Sequence, residues 1–453
     1  MKPLLAGRGQ RITACARSLP PGHQHRHSRQ HRQGDHVAVY TFPGQGSQRP
    51  GMGRAWVDHP SWELVNDASE AAGRDIGALL LDAGAQELTA TRNAQLATFT
   101  LGLVILDAIE RLGLEPSAFA GHSLGEYTAL VGAGAVAFED AVRLVAERGE
   151  AMQGAAEDQE GTMAALLGID AAGADAACRR AEGEVWVAND NAPAQVVIAG
   201  TVEAVARASD LAREMGARKV LPMPVGGAFH TPLMAPARDR LRKTLASVTF
   251  RSPEVAVTAN VDAQAHLDAA EWPGLLSSQL CSPVRWRETL LSLVAEGPTT
   301  LVEVGPGGVL TGLARRTVPT SQAVSVAKPD DLDDLVGVLA GDGPLHAYAT
   351  SHHGEHLYVS ERVVLSPAVG IFEPDPALAV PTHDGAPGAE VAVGDLIGTV
   401  TGTGQPVEVR SPFAGPLVGL LALRGERLTA GQPVAWLRAS GEPAPVGGAA
   451  PTA

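Results

Sequence analysis

The chain has 453 residues, too many for one ordinary hydrophobic core, and 45% of them are hydrophobic, so two or three folded units are expected. A formal charge of -15 excludes a general nucleic-acid binder, because neutralising phosphates needs a basic face. No apolar run approaches the roughly 20 residues that span a bilayer, which argues against a membrane protein.

Cys15, Cys178 and Cys281 are far apart and lack any C-x-x-C spacing. That argues against a zinc site or a disulfide framework and fits a reducing compartment, the cytoplasm. Residues 1–35 carry seven Lys or Arg and one acid, Asp35, with His23, His25, His27, His31 and His36 at and beyond their end. There is no apolar core of a secretory signal. The Arg-rich start resembles an organellar transit peptide, and a His-x-His-x-His run can hold a metal loosely. The plainer reading, adopted here, is a disordered extension over 1–36, or a start placed too far upstream.

Order begins with the strand-like run Val37 to Phe42, ended by Pro43-Gly44. From there to Lys328, helix and strand patterns alternate as in an α/β protein. Leu96–Leu112 and Glu139–Met152 read as helices, Val185–Val187 and Val196–Ile198 as strands. Residues 161–225 read strand, helix, strand, strand, helix, strand, the order of a ferredoxin-like insert. Residues 329–356, with Asp330, Asp331, Asp333 and Asp334, a short helix to Leu339 and Gly341-Asp342-Gly343-Pro344, read as a linker.

Residues 357–438 hold an internal repeat. Val363 to Gly370, with Ser366-Pro367, parallels Val409 to Gly415, with Ser411-Pro412. The phrase from Gly388 to Ile397 likewise parallels the one from Gly425 to Val434. Two interlocked four-stranded halves about a pseudo-dyad are expected. This segment resembles the all-β barrel-sandwich hybrid of biotinyl and lipoyl carrier domains. Such domains need a lysine at a hairpin tip, near Thr403-Gly404-Gln405 here, and no lysine follows Lys328. Covalent biotin or lipoate is thereby excluded, and no cofactor is expected. A module that docks another protein component, or a structural appendage, remains. Residues 439–453 read as a disordered tail.

Gly121-His122-Ser123-Leu124-Gly125 fits G-x-S-x-G, the turn that holds a nucleophilic serine between a strand and a helix. Its glycines leave room for a sharp turn, and the first amides of the following helix face the reacting carbonyl. Two further blocks accompany it: Phe42-Pro43-Gly44-Gln45-Gly46-Ser47-Gln48, and Val302-Glu303-Val304-Gly305-Pro306-Gly307. With the extended block Gly121 to Tyr127, they resemble the malonyl-CoA:acyl-carrier-protein transacylases over about 37–328.

That resemblance implies an α/β-hydrolase-like acyltransferase core, with malonyl-CoA and acyl carrier protein as partners. Malonyl would pass through a serine ester to the phosphopantetheine thiol, in fatty acid or polyketide synthesis. It further implies Ser123 as nucleophile and His230, in Ala228-Phe229-His230, as general base. The backbone carbonyl of Gln279 would orient the imidazole, and the amides of Gln45 and Leu124 would form the oxyanion hole. Arg148 would grip the malonyl carboxylate, and Gln95 matches a further polar position of the site. Gly226-Gly227 depart from the family pattern. Phe229 is of the malonyl rather than the methylmalonyl type, since its bulk would crowd a branched acyl group.

Four other readings compete. A trans-acting acyl-thioester hydrolase has little reason to select a carboxylate with Arg148. A methylmalonyl-using acyltransferase conflicts with Phe229. An ordinary α/β-hydrolase esterase lacks the Gln45 and Gly305-Pro306-Gly307 blocks. A non-catalytic assembly subunit has no reason to keep Ser123, His230 and Arg148 together. An acidic carrier protein would need a local basic patch to dock on so acidic a chain, and the sequence does not locate one.

Overall fold

A computed structural model of the protein describes residues 37–295, 297, 299–340, 354–358, 361–380, 388–402 and 406–438. The extension over 1–36, with its histidine cluster, the hairpin tip 403–405 and the tail 439–453 lie outside the described residues.

Strand β1 (Val37–Phe42) opens the chain. Three short helices, α1 (Glu63–Ala72), α2 (Ile76–Leu81) and α3 (Ala85–Thr89), lead into the long α4 (Thr91–Glu110). All but three residues of α4 are buried, so it is apolar on nearly every side. Then come β2 (Ala118–Gly121), α5 (Gly125–Gly132) and α6 (Phe138–Asp158). The insert supplies β3 (Thr162–Leu167), α7 (Ala171–Arg180), β4 (Val185–Ala192), β5 (Gln195–Gly200), α8 (Val202–Glu214) and β6 (Lys219–Pro222). The main unit resumes with α9 (Ala235–Leu245), β7 (Ala256–Thr258), β8 (Ala265–His266), α10 (Trp272–Gln279) and α11 (Trp286–Leu293). It closes with β9 (Thr299–Val304), α12 (Val309–Thr317), β10 (Gln322–Val326) and α13 (Asp331–Ala340).

The main sheet runs β10-β9-β1-β2-β7-β8, parallel except for the edge strand β8. Helices cover it, and β1 and β9 bury nearly every residue, as a parallel sheet requires. The loops after β1, β2 and β7 lie together beyond the carboxyl ends of neighbouring strands, where open α/β sheets bind ligands. The insert is an antiparallel sheet of order β4-β5-β3-β6, the ferredoxin-like arrangement. It has a core of its own, built from Leu166, Ile169, Val196, Ile198 and the alanine faces of α7 and α8.

The stretch read as linker behaves differently at its start. α13 buries Leu332, Leu335 and Leu339 in the main core. Those leucines recur at three and four residues, a helical stripe that the four aspartates obscured. Likewise β11 (Gly354–Tyr358) starts ahead of residue 357, as an edge strand paired with β12 (Glu361–Leu365).

The repeat becomes β12, β13 (Gly370–Pro374), β14 (Glu390–Val391) and β15 (Leu396–Thr401), then β16 (Val407–Arg410), β17 (Gly415–Leu420), β18 (Arg427–Leu428) and β19 (Pro433–Arg438). Apart from β11, one sheet has the order β12-β19-β17-β14 and the other β16-β15-β13-β18. Exchanging the first copy of each strand for its second converts one order into the other. That is the interlocked pseudo-dyad expected of the repeat. Phe372, Ile397, Val400, Val409, Leu417, Leu428 and Leu437 fill the space between the sheets.

Among the described glycines, the closest packing is where β2 turns into α5. A Cβ added to Gly121 would lie 1.8 Å from the carbonyl carbon of Gly125, and one on Gly125 would lie 2.0 Å from the Phe42 oxygen. Neither obstacle is a side chain that can swing away. Gly121→Ala is therefore expected to cost about 3 kcal/mol or more in denaturant titration. A loss below about 0.5 kcal/mol would contradict this account of the turn.

Candidate active site

Ser123 stands between β2 and α5 with φ of +53°, a left-handed conformation that only a strongly held non-glycine residue keeps. Asn260, just beyond β7, holds it. Asn260 Oδ1 accepts the Ser123 backbone N–H at 2.6 Å, while its Nδ2 donates to the Gly121 carbonyl at 2.6 Å. One side chain thus clamps both sides of the turn. Sequence reasoning missed it, because no motif surrounds Thr258-Ala259-Asn260.

His230 follows the insert and also has a positive φ, +60°. Its Nε2 lies 2.8 Å from Ser123 Oγ and its Nδ1 lies 2.9 Å from the Gln279 carbonyl oxygen. A carbonyl only accepts, so Nδ1 carries the proton and Nε2 is left to accept from the serine hydroxyl. Burial drives the His230 pKa down to about 3. The Gln279 carbonyl opposes that shift, and the charge on Arg148 adds to it. At neutral pH the imidazole is uncharged.

Arg148 lies on the apolar stripe of α6, among Ala141, Val145, Met152 and Ala155, and is only 1% exposed. Arg143, one turn earlier on the opposite side, pairs with Asp140 in solvent. Arg148 Nη1 donates to Gln95 Oε1 at 2.7 Å, and Nη2 donates to Gln279 Oε1 at 2.9 Å and Ser123 Oγ at 3.1 Å. Its guanidinium carbon lies 5.2 Å from the Tyr127 ring centroid, a cation–π distance. Among the described residues no carboxylate pairs with it, and its Nε has no acceptor. Burial lowers its pKa from the ordinary arginine value, yet a guanidinium keeps its proton. The site therefore holds a fixed cation surrounded by neutral oxygens. Gln95 reaches it because α4 and α6 pack closely, with Gly149 facing the Arg92 backbone: a Cβ there would lie 2.9 Å from Arg92 Cα.

Leu124 heads α5, so its amide has no acceptor one turn back within the helix. The Gln45 loop lies against the same turn, with His122 N–H donating to the Phe42 carbonyl at 2.9 Å and no room for a side chain on Gly44, where a Cβ would lie 2.5 Å from the His122 oxygen. The side chain of Gln45 points elsewhere, donating to Thr91 Oγ1 at 3.4 Å. The third block supports this loop. Gly305 abuts Pro43, and Glu303 accepts the Thr311 amide at 2.8 Å in the first turn of α12.

Two further groups went unread in the sequence. His122 Nε2 lies 2.8 Å from Asn191 Oδ1 on β4, and main-chain bonds between Ala188, Asp190 and Val284 tie that strand to the main unit. Glu126, inside the Gly121–Tyr127 block, is fully buried beneath the site and accepts from Gln279 Nε2. All seven predicted residues, Gln45, Gln95, Ser123, Leu124, Arg148, His230 and Gln279, converge on the C-terminal edge of the sheet.

Comparison with known proteins agrees with this geometry. The family described as acyl transferase domain matches residues 39–347. A malonyl CoA-acyl carrier protein transacylase of Bacillus subtilis (strain 168) is 40% identical over 306 residues, covering 66% of this chain and 96% of that protein. The crystal structure of an acyl carrier protein S-malonyltransferase from Vibrio cholerae superposes with a TM-score of 0.64 at 41% identity, covering 66% of this chain and 99% of the other. A malonyl-transacylase solved in complex with its type II PKS acyl-carrier protein gives 0.64 at 39% identity, with coverages of 66% and 98%. The chain thus belongs to the malonyl-CoA:acyl-carrier-protein transacylase family, extended at its C-terminal end by a β domain that these relatives do not match.

Proposed function

We propose that Ser123, His230 and Arg148 carry out the transfer of malonyl from malonyl-CoA to the phosphopantetheine thiol of an acyl carrier protein. The observation that carries this reading is Arg148, a buried cation 3.1 Å from Ser123 Oγ with no carboxylate bonded to it among the described residues. A guanidinium so placed holds the free carboxylate of malonyl by parallel hydrogen bonds, which acetyl cannot offer. Such charge-assisted bonds contribute roughly 1.5–3 kcal/mol each.

His230 Nε2 takes the Ser123 Oγ proton as Oγ attacks the thioester carbonyl. The amides of Leu124 and Gln45 receive the oxyanion. Collapse breaks the carbon–sulfur bond, and the imidazolium returns its proton to the departing coenzyme A thiolate, leaving a malonyl ester on Ser123. In the second half His230 takes the proton of the carrier thiol, sulfur attacks the ester, and Oγ regains the proton. The carrier serves fatty acid or polyketide synthesis on this reading, and the segment 357–438 acts as a docking or structural module, since it lacks the lysine of its carrier relatives.

Intact mass spectrometry after mixing with malonyl-CoA tests the nucleophile: the protein gains one malonyl group, and Ser123→Ala gains none. Malonate freed at equal rates with and without carrier protein would favour a hydrolase. Arg148→Ala is expected to lower kcat/KM for malonyl-CoA about 100-fold to 1000-fold while leaving acetyl-CoA nearly unaffected or improved. An unchanged malonyl preference would remove Arg148 from the role. The low His230 pKa places the acid limb of kcat/KM, which reports the free enzyme, well below the ordinary histidine value of 6.5. The profile should be flat on its acid side down to about pH 5. A loss of kcat/KM as pH falls through 6.5 would show that His230 is not buried as described.

A further inference from the structure

Glu126 is the carboxylate nearest this centre that the transfer leaves unused. It lies in the first turn of α5 with no exposed surface. Its Oε2 accepts from Gln279 Nε2, and its Oε1 lies 3.4 Å from the Asn260 amide. Gln279 carries the connection onward, because its Oε1 accepts from Arg148 Nη2. The direct partners of Arg148, namely Gln95, Gln279 and Ser123, are all neutral. With Glu126 ionised, the buried positive charge is offset through one amide.

A malonyl carboxylate bound to Arg148 would place a second buried anion beside a single cation. Two carboxylates sharing one site do not both stay ionised cheaply, so the more deeply buried one is driven to take a proton. Glu126 is that group, since it has no exposed surface and the substrate carboxylate has the guanidinium directly. We propose that Glu126 is the internal counter-ion of Arg148 and takes up one proton from solvent when the malonyl carboxylate binds. This rests on the reading of Arg148 as the ligand of that carboxylate. The charge of the pocket is then the same before and after: Arg148 with Glu126 at rest, Arg148 with malonyl in the complex.

The charged and titratable groups around Glu126 are Arg148 from α6, Asp262 from the turn between β7 and β8, and Tyr127 on its own helix; His230 shares Gln279 with it. Burial raises the carboxyl of Glu126 to about 7, against the opposing pull of Gln279, Asn260 and Arg148 and with a push from Asp262. The sign follows. Well below that value Glu126 is already protonated and binding takes up little. Above it, and below the higher value reached in the complex, uptake approaches one proton and malonyl affinity falls toward tenfold per pH unit.

The test is calorimetry on full-length Ser123→Ala, which binds the thioester without cleaving it, in buffers of different ionisation enthalpy at about pH 7.5. Acetyl-CoA is the control for protons bound by coenzyme A itself. Malonyl-CoA is expected to take up about half a proton or more beyond acetyl-CoA. Adding Glu126→Gln should abolish that excess and make malonyl affinity independent of pH from about 6 to 8.5. No excess in Ser123→Ala, or an excess that survives Glu126→Gln, overturns the proposal. Should the glutamine variant fail to fold, infrared difference spectra of Ser123→Ala decide. A new protonated-carboxyl band on adding malonyl-CoA but not acetyl-CoA supports the proposal, and its absence overturns it. Arg148→Ala in the same background separates the two ideas. Malonyl affinity retained there refutes the reading of Arg148. Affinity lost there, with no proton excess in the parent, refutes only the role of Glu126.

Discussion

The backbone carbonyl of Gln279 accepts His230 Nδ1–H, its side-chain oxygen accepts from Arg148, and its side-chain nitrogen donates to the Ser123 carbonyl and to Glu126. His230, Arg148, Ser123 and Glu126 are thus all bonded to this one residue at the end of α10. The carbonyl fixes the imidazole tautomer without adding charge, which an aspartate in that place would do. That matters because Glu126 already lies buried against the same residue. A charged orienting group would add a second buried carboxylate beside one buried guanidinium, and desolvation would penalise both.

The geometry also explains why Ser123 keeps a strained backbone. Ser123 and His230 both sit at positive φ, each a cost of order 1–3 kcal/mol unless the surroundings over-determine it. Here Asn260, the Phe42 carbonyl and the glycines at 121 and 125 fix the turn from three directions. The strands that position these groups are neighbours in a parallel sheet, so their carboxyl ends present the loops together. Strain is held by packing that no thermal fluctuation of a single side chain can release.

Much of this was legible in the chain. The Gly121–Tyr127 and Gln45 blocks, His230, Arg148, Gln95 and Gln279 were found from short phrases and come together in space. The pseudo-dyad of the β domain was readable too, because each half of the repeat keeps its Ser-Pro turn. The rest was hidden for physical reasons. Asn260 acts through a hydrogen bond to a residue 137 positions away, and only the β2–β7 pairing brings it there. Glu126 stood within a recognised block, yet a glutamate in a helix's first turn ordinarily reads as a solvated group favouring the dipole. Its burial depends on α10 covering it. The leucine stripe of α13 was masked by its aspartates, so a helix of the main core passed for a linker.

In the proposed transfer one buried arginine grips the far carboxylate of the acyl group while the neighbouring serine carries its carbonyl. A crystal structure of the malonyl-enzyme, trapped by malonyl-CoA in the absence of carrier protein, would show this. The ester is expected on Ser123 Oγ, with the carbonyl oxygen facing the Leu124 and Gln45 amides and both carboxylate oxygens on the Arg148 guanidinium. A carboxylate turned to solvent, or an acyl group bound to any other residue, would contradict it.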